Sequence, residues 1–410
     1  IAAMRNKELS EAKNAQDQQD AFFYLTKEAR DKLPHFQYKG QDQSLLYNYV
    51  LSPLAGFLVN NCTPSNIAPN TITLFGLCFM IVSYSTLWYY APLVDNYASL
   101  DEDAERVIIP RWVFLYQACA MLIYQTLDNM DGKQARKTNS SSPLGLLFDH
   151  GCDAVNVIFG TAGWILGLGL TFRDDPVHCV SLIAGTFSMF YIATWEEYYT
   201  GEMILPLING PTEGVFGGAL VSLTTFLYGM EFWQSTSVAT ALGLNDLLPF
   251  ELRNADLNVA LALFGMLREG MSRSIFVYRR HGGMQTMVAQ LPLWILFVAG
   301  PLGSRFWFRM PRTTIHLGSG LMVEAVTQMM LDHITEQPFN PLLRQRFLFL
   351  PLVALLLFCP EASETTDILV LVYTTAVWTY LFVKIRLVVH EICVTLNLKC
   401  FDITSKSDTK

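Results

Sequence analysis

The strongest constraint on this chain is a hydropathy rhythm: from Pro69 onward, apolar stretches of roughly twenty residues alternate with short polar connectors. In hydrocarbon a backbone must satisfy its own polar groups, and a helix does so within each stretch. Ten spans can be drawn, at 69–90, 111–130, 143–170, 178–200, 213–233, 256–276, 286–303, 314–332, 346–360 and 366–392, the sixth and eighth being the most weakly patterned. Composition agrees, with 51% hydrophobic residues against 16% charged. The expected fold class is therefore all-α: a polytopic membrane helical bundle of about ten transmembrane helices. A net charge of −8 argues against a partner held through backbone phosphates, so no nucleic acid is expected. The eight cysteines form no CxxC pair and lie mostly in apolar stretches, which indicates neither a disulfide scaffold nor a zinc site.

Ahead of the spans, residues 1–43 are polar, with Arg5, Lys7, Lys13, Lys27, Arg30, Lys32 and Lys39 mixed among acids and no visible signal peptide. Residues 44–60 are apolar but too short to cross a bilayer, and Pro53 and Gly56 interrupt them. An amphipathic helix lying at the interface is expected there. The chain then divides into a chemistry-bearing core at 69–215, additional transmembrane helices at 216–392 and a cytosolic tail at 393–410.

Lys and Arg accumulate in short cytosolic loops. The connector at 91–110 is acidic (Asp95, Asp101, Glu102, Asp103, Glu105), whereas 132–142 holds Lys133, Arg136 and Lys137, and 273–280 holds Arg273, Arg279 and Arg280. Even-numbered spans should then exit into the cytosol. The cations Arg305, Arg309 and Arg312 fall on the opposite side in a ten-span arrangement.

The densest chemistry lies between the second and third spans. Asp128 and Asp131 are three residues apart, Asp149 and Asp153 four apart, so on helices each pair projects from one face. A single loop acid is ordinarily just solvated, but acids at helical spacing on both flanks, with glycine and arginine between, need another explanation. Four such carboxylates are tolerable at a membrane surface chiefly if divalent cations neutralise them, and all-oxygen ligation suits Mg²⁺ or Mn²⁺. Gly132 and Gly145 would let a phosphate come close, and Arg136 offers a forked cation for its oxygens. A diphosphate substrate follows.

These residues resemble the CDP-alcohol phosphotransferase family, whose signature D-G-x2-A-R-x8-G-x3-D-x3-D is complete as Asp131, Gly132, Ala135, Arg136, Gly145, Asp149 and Asp153, with Asp128 as an additional upstream acid. GQDQSLL at 40–46, APNTITLFG at 68–76, DHGCD at 149–153, and TWEEYYTG and INGPTEG within 194–214 extend the resemblance to the branch that makes phosphatidylcholine and phosphatidylethanolamine. Two positions depart from it: relatives often carry His where Tyr199 stands, and some carry Glu at Leu146. The resemblance implies transfer of phosphocholine or phosphoethanolamine from CDP-choline or CDP-ethanolamine to diacylglycerol, with release of CMP. It implies two Mg²⁺ or Mn²⁺ ions on Asp128, Asp131, Asp149 and Asp153, with phosphate steadied by Arg136. It implies further a homodimer in the endoplasmic reticulum or Golgi membrane, its site facing the cytosol.

The proton acceptor has two candidates. The family assigns the last aspartate, Asp153, but a carboxylate committed to a cation is a poor base, and His150 has an intrinsic affinity better matched to neutral pH. Asn70 and Lys133, with Gly151 nearby, are candidate contacts to the nucleotide, although capping is the ordinary role of Asn70. Acids and aromatics suit a cationic headgroup, which makes Glu196, Glu197, Glu213, Trp195, Tyr198 and Tyr199 candidates, while an interfacial belt would use the same residues. His333 and His390 are expected to be packed or interfacial. Two other functions fit part of the pattern: a CDP-diacylglycerol-dependent phosphatidyltransferase of the same family, and a divalent-cation transporter.

Overall fold

A computed structural model describes residues 22–91, 109–299, 301, 309–340, 346–359, 361 and 363–403. Arg5, Lys7 and Lys13, the acids of the 91–110 connector, Arg305 and the tail beyond residue 403 lie outside the described residues. The main helices are α1 (Ser52–Asn61), α2 (Pro69–Tyr90), α3 (Arg111–Lys137), α4 (Pro143–Gly167) and α5 (Pro176–Thr200). They continue with α6 (Val215–Tyr228), α7 (Asn254–Arg280), α8 (Pro311–Ile334), α9 (Arg346–Phe358) and α10 (Glu364–Leu396). Proline opens α2, α4 and α5, where its missing N–H costs nothing. The side chain of Ser142 caps α4 by accepting from the Gly145 amide, and α5 stops at Gly201, whose φ of 74° favours glycine.

Helices α2, α5 and α10 are long and apolar enough to cross a membrane, which marks an integral membrane protein. Where the seventh span is expected, the backbone is broken into a short helix at Met284–Met287, a 3₁₀ turn at Val288–Gln290 and further turns through Ala299. The weak hydropathy of the eighth span has a packing cause. Helix α8 is enclosed by α4, α5 and α10, and its polar residues meet protein. Lys384 of α10 donates to Glu324 at 2.6 Å and to Gln328 at 2.8 Å, and all three are buried. The two helices come close at Gly320, where a Cβ would sit 2.8 Å from Val377.

Several of the cations used above to orient the chain are neutralised by the fold. Arg273 lies inside α7, not in a loop, buried between Glu196 and Glu269. Arg309 pairs with Asp367 at 2.7 Å, and Arg312 donates to the Ala91 carbonyl and lies 4.8 Å over the Trp88 ring. Cations held in this way count less toward topology than free ones.

Two features of the N-terminal region position the site. A π-helical turn at Tyr47–Leu51 runs into α1, which packs Ala55 and Val59 toward α3 and leaves Tyr49, Val50, Leu54 and Phe57 exposed. Strand β1 (Gly40–Asp42) pairs in parallel with β2 (Met203–Leu205), in the register Gly40 to Met203, an element that the all-helical expectation did not include. Asp42 fastens this junction by accepting from Ser44, Asn209 and Thr212, and Gln125 of α3 donates to the carbonyls of Pro211 and Thr212.

Candidate functional site

The end of α3 and the start of α4 bring the acids together. One oxygen from each of Asp128, Asp131 and Asp149 lies within 4.8 Å of the others. Asp131 also accepts from the Thr73 hydroxyl of α2 at 2.5 Å. Asp153, one turn deeper on α4, is not part of that triple, and its Oδ1 accepts from the Tyr124 hydroxyl at 2.6 Å. Oδ1 of Asp128 and Oδ1 of Asp149 are buried without a hydrogen-bond partner. Buried carboxylate oxygens with neither donor nor counter-charge are costly, and a divalent cation removes the cost. The donor set is entirely oxygen, so the residues present fit Mg²⁺ or Mn²⁺.

A cavity of about 420 Å³ opens beside this cluster, lined by Asp131, Asp149, Gly132, Arg136, Gly145 and Asn70 among others. A Cβ on Gly132 would meet Arg136 at 3.5 Å, and one on Gly145 would meet Asn70 at 3.8 Å, both ordinary contacts. The protein around them therefore does not require glycine at either position; what a side chain would take up is cavity. Asn70 does not cap α2, whose N-cap is Ala68 with no side-chain capping bond; its Nδ2 donates instead to the Cys400 carbonyl at 2.9 Å.

Other candidates stand apart from the cavity. Lys133 turns toward α1 and donates to Ser52 Oγ at 2.8 Å, while Gly151 faces Thr327 of α8. Glu196 is clamped by Arg273, and Glu213 accepts from the Ser44 hydroxyl and the Asn209 amide. Trp195 is fully buried and donates to the Thr286 carbonyl, and Tyr198 donates to the Gln337 carbonyl. His390 is exposed on α10.

His150 lies deeper, on the same helix as Asp149 and Asp153. Its Nδ1 is 3.1 Å from the Leu146 carbonyl, and its Nε2 is 3.5 Å from Oε2 of Glu197 on α5. Glu197 is 1% exposed and neither of its oxygens accepts a hydrogen bond, although His333 approaches to 3.9 Å from the other side. The three side chains form a histidine, carboxylate and histidine row in which His150 and Glu197 are buried and His333 is partly exposed.

Phe36, Tyr38 and the segment Leu396–Cys400 with Asp402 also line the cavity, none of them singled out by the sequence. Tyr38 is half exposed, and its partial desolvation, then the negative charges of Glu197 and Asp149, push the phenol up from its ordinary pKa. Phe401 packs edge-on against Phe148, the neighbour of Asp149, at 5.6 Å. Only Thr73 had a local signal, one helical turn from Asn70.

The chain is similar to known proteins over most of its length. The profile of the CDP-alcohol phosphatidyltransferase family matches residues 66–244. Choline/ethanolaminephosphotransferase 1 of Arabidopsis thaliana is 31% identical over 404 residues, covering 91% of this chain and 97% of that protein. A Dictyostelium discoideum protein, uncharacterized CDP-alcohol phosphatidyltransferase class-I family protein 3, is 28% identical over 416 residues, covering 93% of this chain and 99% of its own. Choline/ethanolaminephosphotransferase 1 of Saccharomyces cerevisiae is 31% identical over 259 residues, covering 61% of this chain and 60% of its own.

Proposed function

The chain belongs to the CDP-alcohol phosphatidyltransferase family, and from that premise we propose that it transfers phosphocholine and/or phosphoethanolamine from CDP-choline or CDP-ethanolamine to diacylglycerol, releasing CMP. The observation that carries this reading is the Asp128, Asp131 and Asp149 cluster opening into a cavity with Arg136, Gly132 and Gly145. Near end-to-end similarity to a plant choline/ethanolaminephosphotransferase supports the amino-alcohol branch over the CDP-diacylglycerol branch.

In this reading Asp128, Asp131 and Asp149, with Asp153 as the fourth carboxylate, would hold two divalent ions. When bound, such ions supply positive charge to the diphosphate and to the leaving CMP. The Arg136 guanidinium steadies phosphate oxygens, and Asn70 and Gly145 shape the same wall. The acceptor's hydroxyl proton goes to His150, whose ring is oriented by the Leu146 carbonyl and Glu197. Asp153, the other candidate, is already engaged by Tyr124.

The spans would form a bundle of about ten transmembrane helices, with the exposed apolar face of α1 lying on the bilayer surface. Lys133, Arg136 and Lys137 at the end of α3 support a cytosolic site, and the family resemblance supports a homodimer in the endoplasmic reticulum or Golgi. Diacylglycerol, with no charge to recognise, would enter sideways from the bilayer. Membranes carrying the chain, incubated with labelled CDP-choline, CDP-ethanolamine or CDP-diacylglycerol, test the reading. Label should enter lipid from one or both CDP-amino alcohols and be lost in Asp131→Ala. Incorporation from CDP-diacylglycerol alone would assign the other branch.

A further inference from the structure

One wall of the cavity comes from α3 and α4, and another includes Phe36 and Tyr38, which precede the first span. The Phe36 ring meets His333 edge-on with centroids 5.3 Å apart, and His333 reaches Glu197 at 3.9 Å. Through His333 the Phe36 ring is thus linked to Glu197, which does not itself line the cavity. Gly40 explains how Tyr38 is placed. A Cβ at residue 40 would lie 2.1 Å from Tyr38 Oη, so the ring folds back over that residue only because no side chain is there. Gly40 is itself held in register with Met203 by the parallel strand pair, which ties the ring to the helical scaffold.

We propose that Phe36 and Tyr38 form the subsite for the cationic amino-alcohol end of the donor, an assignment that rests on the transfer reaction proposed above. An ammonium or trimethylammonium group is attracted to the faces of aromatic rings, and nearby carboxylates deepen the negative potential. The phosphates are held at Asp131, Asp149 and Arg136. The amino alcohol is esterified to the second phosphate, so its subsite must adjoin the phosphate-holding residues, and Phe36 and Tyr38 line the same cavity as Asp131, Asp149 and Arg136. Four of the other headgroup candidates are committed elsewhere: Trp195 and Tyr198 to backbone carbonyls, Glu196 to Arg273, Glu213 to Ser44.

The test uses the full chain in lipid vesicles with Mg²⁺ or Mn²⁺, comparing the KM for CDP-choline and CDP-ethanolamine with the inhibition constant of CMP, which lacks the amino alcohol. Tyr38→Ala and Phe36→Leu should each raise the donor KM by about tenfold and leave CMP inhibition unchanged. Tyr38→Phe should recover most of what Tyr38→Ala loses. Gly40→Ala, which keeps both rings but obstructs the place of Tyr38, should reproduce the rise. An unchanged donor KM, or a parallel rise for CMP, would overturn the subsite, the latter making the segment a prop for the whole cavity. If the unaltered chain binds CMP yet turns over neither CDP-amino alcohol, the proposed reaction fails and this subsite with it.

Discussion

Nε2 of His150 on α4 lies 3.5 Å from Oε2 of Glu197 on α5, both side chains shut away from solvent. A buried imidazole beside a carboxylate that accepts no hydrogen bond is placed to exchange a proton. His150→Ala should lower kcat by about 10²- to 10⁴-fold while leaving the donor KM and CMP inhibition near their starting values. In the proposed mechanism Glu197 is a positioning residue, and Glu197→Gln should lower kcat by about tenfold with the same unchanged KM. Normal turnover in His150→Ala would move the proton to Asp153.

The acidic cluster predicts dependence on divalent cations. Chelation should abolish transfer, and added Mg²⁺ or Mn²⁺ should restore it in the unaltered chain. Asp149→Ala and Asp128→Ala should show roughly 10²-fold or greater loss that excess metal does not rescue. Mn²⁺ binding followed by electron paramagnetic resonance checks the cause, since both variants should lose high-affinity ion binding before any donor is added.

The helical membrane character and the acidic cluster were legible because both are local: hydropathy repeats along the chain, and Asp128, Asp131 and Asp149 sit on neighbouring helices joined by a short loop. What the sequence hid is non-local. Asn70 meets the Cys400 carbonyl across 330 positions, and no periodicity relates them. Tyr38 depends on a three-residue strand whose partner lies beyond α5. The headgroup candidates Glu196 and Glu213 have the right chemistry but are occupied by Arg273 and Ser44, which composition cannot reveal. The polar residues of α8 weakened its apolar signal for a tertiary reason, enclosure against Lys384.

The Lys384 and Glu324 pair should matter for stability more than for chemistry. Lys384→Met leaves Glu324 buried without its cation and should destabilise the protein by about 3–5 kcal/mol. Combining it with Glu324→Leu should recover much of that loss, because both charges are then gone. Thermal unfolding in detergent, run on both single variants and the double, measures the coupling.

Closure of the cavity by the segment after α10 can be tested at its two anchors. Phe401→Ala removes the ring packed on Phe148, and Asn70→Ala removes the donor to Cys400. Each should raise the donor KM severalfold, by roughly the energy of one hydrogen bond or aromatic contact. Protection of the segment from protease by CMP and metal should weaken in both variants.

The cavity is bounded by Phe36 on one side and Asp402 on another, residues from opposite ends of the described chain. A ribosome delivering this polypeptide to the bilayer cannot finish the chamber partway. The acids on α3 and α4 are inserted early, but the last wall arrives only after α10 has been threaded. A copy terminated before α10 ends would lack the part of the cavity wall that Leu396–Cys400 and Asp402 supply, and under the proposed reaction it should not use the soluble donor.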